Sequence, residues 1–81
     1  MKIKEEHFID MEVRITEFIN KNFKMIQAHK KLSLGKDKDK RFRWDIFWAS
    51  KYHKKAREYY SYLNDDHLDT ALKKIMSKID L

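Results

Sequence analysis

The sequence predicts an all-α fold, a three-helix bundle with two long helices and a shorter C-terminal helix. Glycine occurs once in 81 residues and proline is absent, whereas an all-β fold of this length needs more turn residues. Apolar residues recur at steps of three and four, which is the period of an amphipathic helix. Because 81 residues suffice for one domain, residues 1–81 are expected to form a single helical unit.

The first predicted helix covers residues 5–32. It ends before Gly35, which is expected to act as a left-handed C-terminal cap after Lys30 and Lys31 in the last turn. Its apolar stripe consists of Phe8, Met11, Ile15, Ile19, Phe23 and Ile26.

The second predicted helix covers residues 39–63 and follows a charged linker in which Asp37 or Asp39 could be the N-terminal cap. Two neighbouring apolar stripes on one helix can contact two partners, so this helix is expected to be the centre of the bundle. The main stripe consists of Phe42, Ile46, Ala49, His53, Ala56, Tyr60 and Leu63, and the second of Trp48, Tyr52, Tyr59 and Tyr62.

The third predicted helix covers residues 65–80. Asn64 and acidic residues stand at its start and lysines follow later, an order that complements the helix dipole. Its stripe consists of Leu68, Leu72, Ile75 and Ile79.

The three predicted lengths do not match. At the rise of an α-helix, the first two helices would each be about 37–42 Å long and the third about 24 Å. Either the first helix is broken near residues 20–22, or apolar surface is left for a partner. A homodimer would be one way to cover that surface.

Positive charge is concentrated in the middle of the chain. Residues 29–57 hold eleven basic and three acidic side chains, a net charge of +8, whereas the overall charge is +6. A polyanion or an acidic protein surface is the partner that such a segment favours, although a lysine-rich surface can also serve solubility alone.

The sequence contains little that would indicate catalysis or a bound cofactor. There is no cysteine, a single glycine excludes a glycine-rich phosphate loop, and the four histidines stand far apart. No enzyme activity, metal or cofactor is therefore expected. No apolar run reaches the roughly 18–20 residues of a membrane span, and the N-terminus lacks the apolar region of a signal peptide. A cytoplasmic location is expected.

The start of the second predicted helix is the segment that says most about function, because it is rich in basic residues. They are Lys36, Lys38, Lys40, Arg41 and Arg43. Cations in a first helical turn oppose the macrodipole, whereas acids would stabilise it. Basic side chains and free backbone N–H groups at this end would together attract an anion.

The candidate binding site therefore lies on the linker and the outer face of the second predicted helix, opposite its main stripe. Aromatic and basic side chains together can stack on bases and neutralise phosphates, or form a protein-interface hot spot. Alternatively, Trp44 and Phe47 pack beneath the first helix or the linker. The predicted residues are Lys36, Lys38, Lys40, Arg41, Arg43, Trp44, Phe47, Lys51 and Lys54.

A DNA-reading helix-turn-helix in the last two helices is disfavoured. Its recognition helix would present Asp65, Asp66 and Asp69 to the phosphates.

Residues 41–50 (RFRWDIFWAS) and 62–75 (YLNDDHLDTALKKI) resemble a family of short bacteriophage proteins without a settled activity. These carry an RWDL(L/F)…S segment followed by YLND.HIDTALR.I. The resemblance covers about the last half of the chain and transfers no site residue. It implies that binding to host machinery, including anti-phage defence complexes, is a candidate function.

Three functions follow from these observations. The first is that of a small, basic, non-enzymatic phage-type protein, which acts on nucleic acid or nucleic-acid machinery through the outer face of the second predicted helix. The alternative is a phage-encoded inhibitor that docks on a host protein complex, of the anti-defence or anti-CRISPR type. The second alternative is a dimeric structural or adaptor protein.

Overall fold

A computed structural model describes residues 3–81, in which five helices follow one another. They are α1 (Glu5–Lys21), α2 (Phe23–Leu32), α3 (Lys38–Ala49), α4 (His53–Tyr60) and α5 (Asp65–Met76). No β-strand occurs within residues 3–81, and the all-α prediction is confirmed. The three-helix bundle is wrong, because each of the two long predicted helices is divided in two.

The first predicted helix, residues 5–32, is interrupted at Asn22. This residue has φ −119° and ψ 30°, outside the helical range. Its side-chain Nδ2 donates a hydrogen bond to the carbonyl oxygen of Phe18 at 3.0 Å, so the side chain competes for a carbonyl of the helix. Of the two outcomes that the helix lengths left open, a break near residues 20–22 is the one observed.

The second predicted helix, residues 39–63, is broken by a corner at residues 50–52. Ser50 Oγ donates to the carbonyl oxygen of Phe47 at 2.7 Å and accepts from the backbone N–H of Tyr52 at 3.3 Å. Lys51 has φ 61°, in the left-handed region that a residue with a Cβ adopts at a cost. In one continuous helix Phe47 and Tyr52 would point about 140° apart, whereas the corner lets both enter the core.

Of the other predicted helix ends, the start of the last helix is confirmed, whereas its end and the end of α2 differ from the prediction. Asn64 is the N-terminal cap of α5, and its side-chain oxygen accepts from the backbone N–H of His67 at 3.0 Å. α5 ends at Met76 rather than near residue 80. Gly35 has φ 104°, but it lies two residues beyond Ser33, the actual C-terminal cap of α2.

The core lies between α1, α3 and α5. α5 packs against both α1 and α3, and α2 packs against the same two helices. α4 is tied to α1, because the Tyr52 hydroxyl donates to Asp10 Oδ2 at 2.8 Å and the His7 and Tyr59 rings stack with centroids 4.1 Å apart. The radius of gyration is 12.3 Å, close to the roughly 12 Å expected for this length.

Most of the buried side chains come from the predicted stripes of the three predicted helices. Ala49, from the main stripe of the second predicted helix, is exposed at the last position of α3, before the corner. The buried residues are Met11, Ile15, Ile19, Ile26, Phe42, Ile46, Phe47, Tyr52, Ala56, Tyr60, Ala71, Leu72, Ile75 and Met76.

Candidate nucleic-acid interface

The start of α3 carries four exposed cations. Lys36 precedes the helix, and Lys38, Lys40 and Arg41 lie in its first turn. The N-terminal cap is Asp37, whose side chain makes no capping hydrogen bond. Because the first turn of a helix also presents backbone N–H groups, the positive charges of side chains and backbone add together here.

Six of the nine predicted residues are exposed cations that form no ion pair with another residue of 3–81. Asp37 and Asp39 are exposed beside these cations. They lower the local net positive charge, but neither forms an ion pair with them. These cations are therefore available to an anionic ligand. They are Lys36, Lys38, Lys40, Arg41, Lys51 and Lys54.

One exposed face of α3 connects these cations to a tryptophan. Lys38, Arg41, Asp45 and Trp48 follow one another at steps of three and four and are all exposed. The Asp45 carboxylate is hydrogen bonded to His29 Nε2 at 3.0 Å, which joins α2 to α3. The face extends over about 15 Å from the cationic start of the helix to Trp48.

Arg43 and Trp44 are engaged in the fold, contrary to the prediction of a free outer face. Arg43 donates through Nε and Nη2 to the two carboxylate oxygens of Asp69 at 3.1 and 3.0 Å. Trp44 Nε1 donates to Asp69 Oδ1 at 3.0 Å. Burial opposes ionisation of Asp69, but the hydrogen bonds and charge of Arg43, the Trp44 N–H and the charge of Lys40 outweigh it and lower the pKa.

Phe47 is inside the protein, with 3% of its surface exposed. Its ring meets Trp44 edge to face at a centroid distance of 5.5 Å. The predicted free outer face was wrong at Arg43, Trp44 and Phe47, because a helix packs against that side of α3. In the folded chain, that side of α3 faces α5.

Lys51 and Lys54 lie at the corner between α3 and α4. Lys51 is within the corner itself, between Trp48 and His53 in the chain. Lys54 and Arg57 are three residues apart on α4 and therefore lie on neighbouring positions of its surface. The corner adds cations to the surface at the end of α3 opposite its cationic start.

A groove of about 380 Å³ opens between α3, α4 and the start of α5. Trp48, with 45% of its surface exposed, lies on its rim. The His53 ring centroid lies 4.4 Å from that of Trp48, and Arg57 Cζ lies 5.8 Å from the same Trp48 ring. This aromatic groove is lined by Trp44, Phe47, Trp48, His53, Ala56, Arg57, Tyr60, Ser61, Leu63, Asp65 and Leu68.

Sequence reasoning missed the three residues at the mouth of the aromatic groove. It assigned Trp48 to the second apolar stripe and His53 to the main stripe, and it did not include Arg57 in the site. The local signal that could have found them is Ser50, whose hydroxyl can compete with the helix backbone and end α3.

A second cleft, of about 260 Å³, brings cations of three helices together. Lys30 comes from α2, Arg43 from α3 and Lys73 from α5, and Asp39 also lines the cleft. This cleft extends the basic surface from the start of α3 towards α5.

The described part of the chain shows no cluster of metal-binding side chains. Residues 3–81 contain no group of three or more histidine or carboxylate side chains placed to hold a metal ion. His7 stacks on Tyr59, and the His53 ring lies against Trp48 in the aromatic groove.

Comparison with known proteins finds no match for this chain among family models, curated proteins or solved structures. Within residues 3–81, no helix has both the length and the apolar character needed to cross a bilayer.

Proposed function

We propose that the protein binds nucleic acid through the cations at the start of α3 and at the α3–α4 corner. The observation that supports this most is the set of six exposed cations without ion pairs among residues 3–81, in a segment of net charge +8. Phosphates are the ligand that such a surface favours, because their neutralisation by lysine and arginine releases condensed counterions.

Binding of this kind is expected to be weakly sequence-specific. Contacts with phosphates position a protein on nucleic acid but do not read the bases. Asp65 and Asp66, both exposed, occupy the first turn of α5, so that helix is unsuited to enter a groove between phosphates. The interface therefore belongs to α3 and the corner.

A salt titration tests the proposal. We expect the wild-type protein to bind a fluorescent oligonucleotide at low salt, with an affinity that falls steeply as salt rises. In the double variant Lys38→Gln/Arg41→Gln, the slope of log K against log salt should fall by roughly 1.4 for a single strand, about 0.7 per lost phosphate contact. Fluorescence anisotropy measures both quantities.

The matched control is Lys21→Gln/Lys24→Gln, which removes the same charge from exposed lysines of α1 and α2. This control should keep a slope close to that of the wild type. Equal loss in both double variants would mean that only net charge matters, and absence of binding by the wild-type protein at micromolar concentration and low salt would end the proposal.

A second candidate is docking on a host protein that handles nucleic acid, as an inhibitor of anti-defence type. The turn between α2 and α3 favours it, because Leu32 and Leu34 are 76% and 77% exposed next to the cations of the linker. Exposed apolar side chains beside basic ones are common at protein interfaces. The positive charge of this surface argues against mimicry of DNA as the mechanism.

A pull-down from host lysate separates the two candidates. If the protein docks on a protein, the captured partner should survive nuclease treatment and be lost from the variant Leu32→Ser/Leu34→Ser. Both side chains are exposed, so helicity by circular dichroism should be unchanged. Loss of all captured material after nuclease treatment would leave only the nucleic-acid proposal.

A further inference from the structure

The aromatic groove has the composition of a base-stacking site. We infer that it takes one unpaired base of a single-stranded nucleic acid, with Trp48 as the stacking surface. This inference rests on the proposed function and names the form of nucleic acid that the site prefers.

Trp48 is suited to stacking because neighbouring side chains hold its ring while much of its surface remains exposed. His53 and Arg57 contact it from α4, at 4.4 Å between ring centroids and 5.8 Å from the guanidinium carbon. Nevertheless, 45% of its surface remains exposed. Every base has an aromatic face, so such a platform accepts a base without regard to its identity.

Two of the side chains that line the groove each carry a polar atom that the fold does not use. His53 Nδ1 and the Tyr60 hydroxyl are buried and have no hydrogen-bond partner among residues 3–81. Tyr60 is 97% buried, since only 3% of its surface is exposed, and both residues line the groove. A base edge carries donors and acceptors, which an apolar side chain of a peptide lacks, so a base suits a groove lined by these two polar side chains better.

The surrounding charge favours a nucleotide over a peptide. Lys51, Lys54 and Arg57 stand at the corner, and Asp65 is the carboxylate that lines the groove. The exposed face of α3 leads over about 10 Å from Arg41, past the Asp45 carboxylate that is hydrogen bonded to His29, to Trp48, so a strand held by the cationic start can continue to the groove. A volume of about 380 Å³ lies in the lower range of small-molecule sites, roughly 300–1,000 Å³.

The inferred occupant is an unpaired base because a duplex keeps its bases stacked on one another. A base reaches a side-chain platform only after unstacking, which a single strand allows at far lower cost than a duplex. The groove therefore predicts a preference for single strands that phosphate contacts alone would not produce.

The test compares three fluorescent probes by anisotropy. They are an oligothymidine single strand, a duplex of equal length and an abasic strand with the same phosphates. The protein variants are Trp48→Ala, Trp48→Phe and, as a control, Tyr62→Ala, which removes an exposed aromatic outside the groove lining. Circular dichroism confirms that each variant is folded.

We expect Trp48→Ala to weaken binding of the oligothymidine roughly 5- to 150-fold, the range of one lost base stack. Binding of the duplex and of the abasic strand should not change, and the salt slope should stay the same. Trp48→Phe should keep most of the affinity because it keeps an aromatic face, and Tyr62→Ala should match the wild type.

Distinct outcomes separate this inference from the proposed function. If all three probes bind equally and Trp48→Ala changes none of them, the base site is overturned while nucleic-acid binding stands. If Trp48→Ala instead abolishes capture of a nuclease-resistant protein partner and leaves the oligothymidine affinity intact, the groove is a protein site and the inference fails. If no probe binds, the proposed function fails first.

Discussion

At the scale of single residues, Asp69 determines how α3 meets α5. Its carboxylate accepts two hydrogen bonds from Arg43 and one from Trp44, although both donors are about 25 residues away in the chain. The side chains of Arg43 and Asp69 are 15% and 19% exposed, so water screens this ion pair little. A pair so distant in sequence leaves no trace in helical periodicity, which is why Arg43 was expected on an open surface.

We expect Asp69→Ala to lower the free energy of unfolding by roughly 1.5–3 kcal/mol, because it removes charged hydrogen bonds and leaves Arg43 partly buried without its partner. Chemical denaturation of the wild type and the variant measures the difference. Asp80→Ala, at an exposed position outside the helices, serves as the control and should stay within about 0.5 kcal/mol.

The same carboxylate makes stability depend on pH. Because the pKa of Asp69 is lowered in the folded state, its contribution is present above the ordinary carboxyl pKa of about 4. That contribution is lost as the pH falls through the lower folded pKa. Below pH about 4, the wild type should lose stability faster than Asp69→Asn, and parallel pH profiles of the two proteins would contradict this.

At the scale of helices, the ends of the chain were more predictable than its middle. The stripe of α1 and the Asn64 cap of α5 follow from local rules, and Met11, Ile15 and Leu72 are fully buried as their spacing predicts. The corner at residues 50–52 was missed because neither glycine nor proline marks it. The unrecognised corner changed the direction of α4 relative to α3, and packing of α5 buried a side of α3 that was expected to be open.

Lys51 stores backbone strain at this corner, because a residue with a Cβ has φ 61° there. We expect Lys51→Gly to raise the free energy of unfolding by about 0.5–1 kcal/mol, since relief of the left-handed strain exceeds the added freedom of glycine in the unfolded chain. Thermal or chemical denaturation measures the change.

The control for this substitution is Lys54→Gly, in the helical part of α4. The same chemical change should there lower stability by about 0.5–1 kcal/mol, because glycine is unfavourable within a helix. Two effects of the same sign would show that Lys51 is not strained.

At the scale of the whole molecule, the two breaks resolve the mismatch between the predicted helix lengths. Five short helices enclose one core with principal extents of 33 × 27 × 20 Å, whereas a straight helix of 28 residues would alone exceed 40 Å. The chain thus covers its apolar stripes by folding back on itself. A homodimer stays a prediction, for which Ile9 and Val13, both half-exposed on α1, offer the apolar surface.

The charged half of the candidate site could be predicted from the sequence, but the aromatic half could not. Lysine side chains are exposed almost wherever they stand, so Lys36, Lys38 and Lys54 were placed correctly by composition alone. Which aromatic side chain remains outside depends on how α3 is rotated against α5. That rotation depends on long-range contacts, and it exchanged Phe47 for Trp48 at the surface.

The position of α5 has a consequence for how the protein is made. α5 contacts α1 and α3, fills the core with Ala71, Leu72, Ile75 and Met76, and supplies the anchor for Arg43. It also follows the other four helices in the chain. During synthesis, α1 to α4 therefore leave the ribosome before the helix that completes their core, so the apolar faces that α5 covers stay open until it emerges.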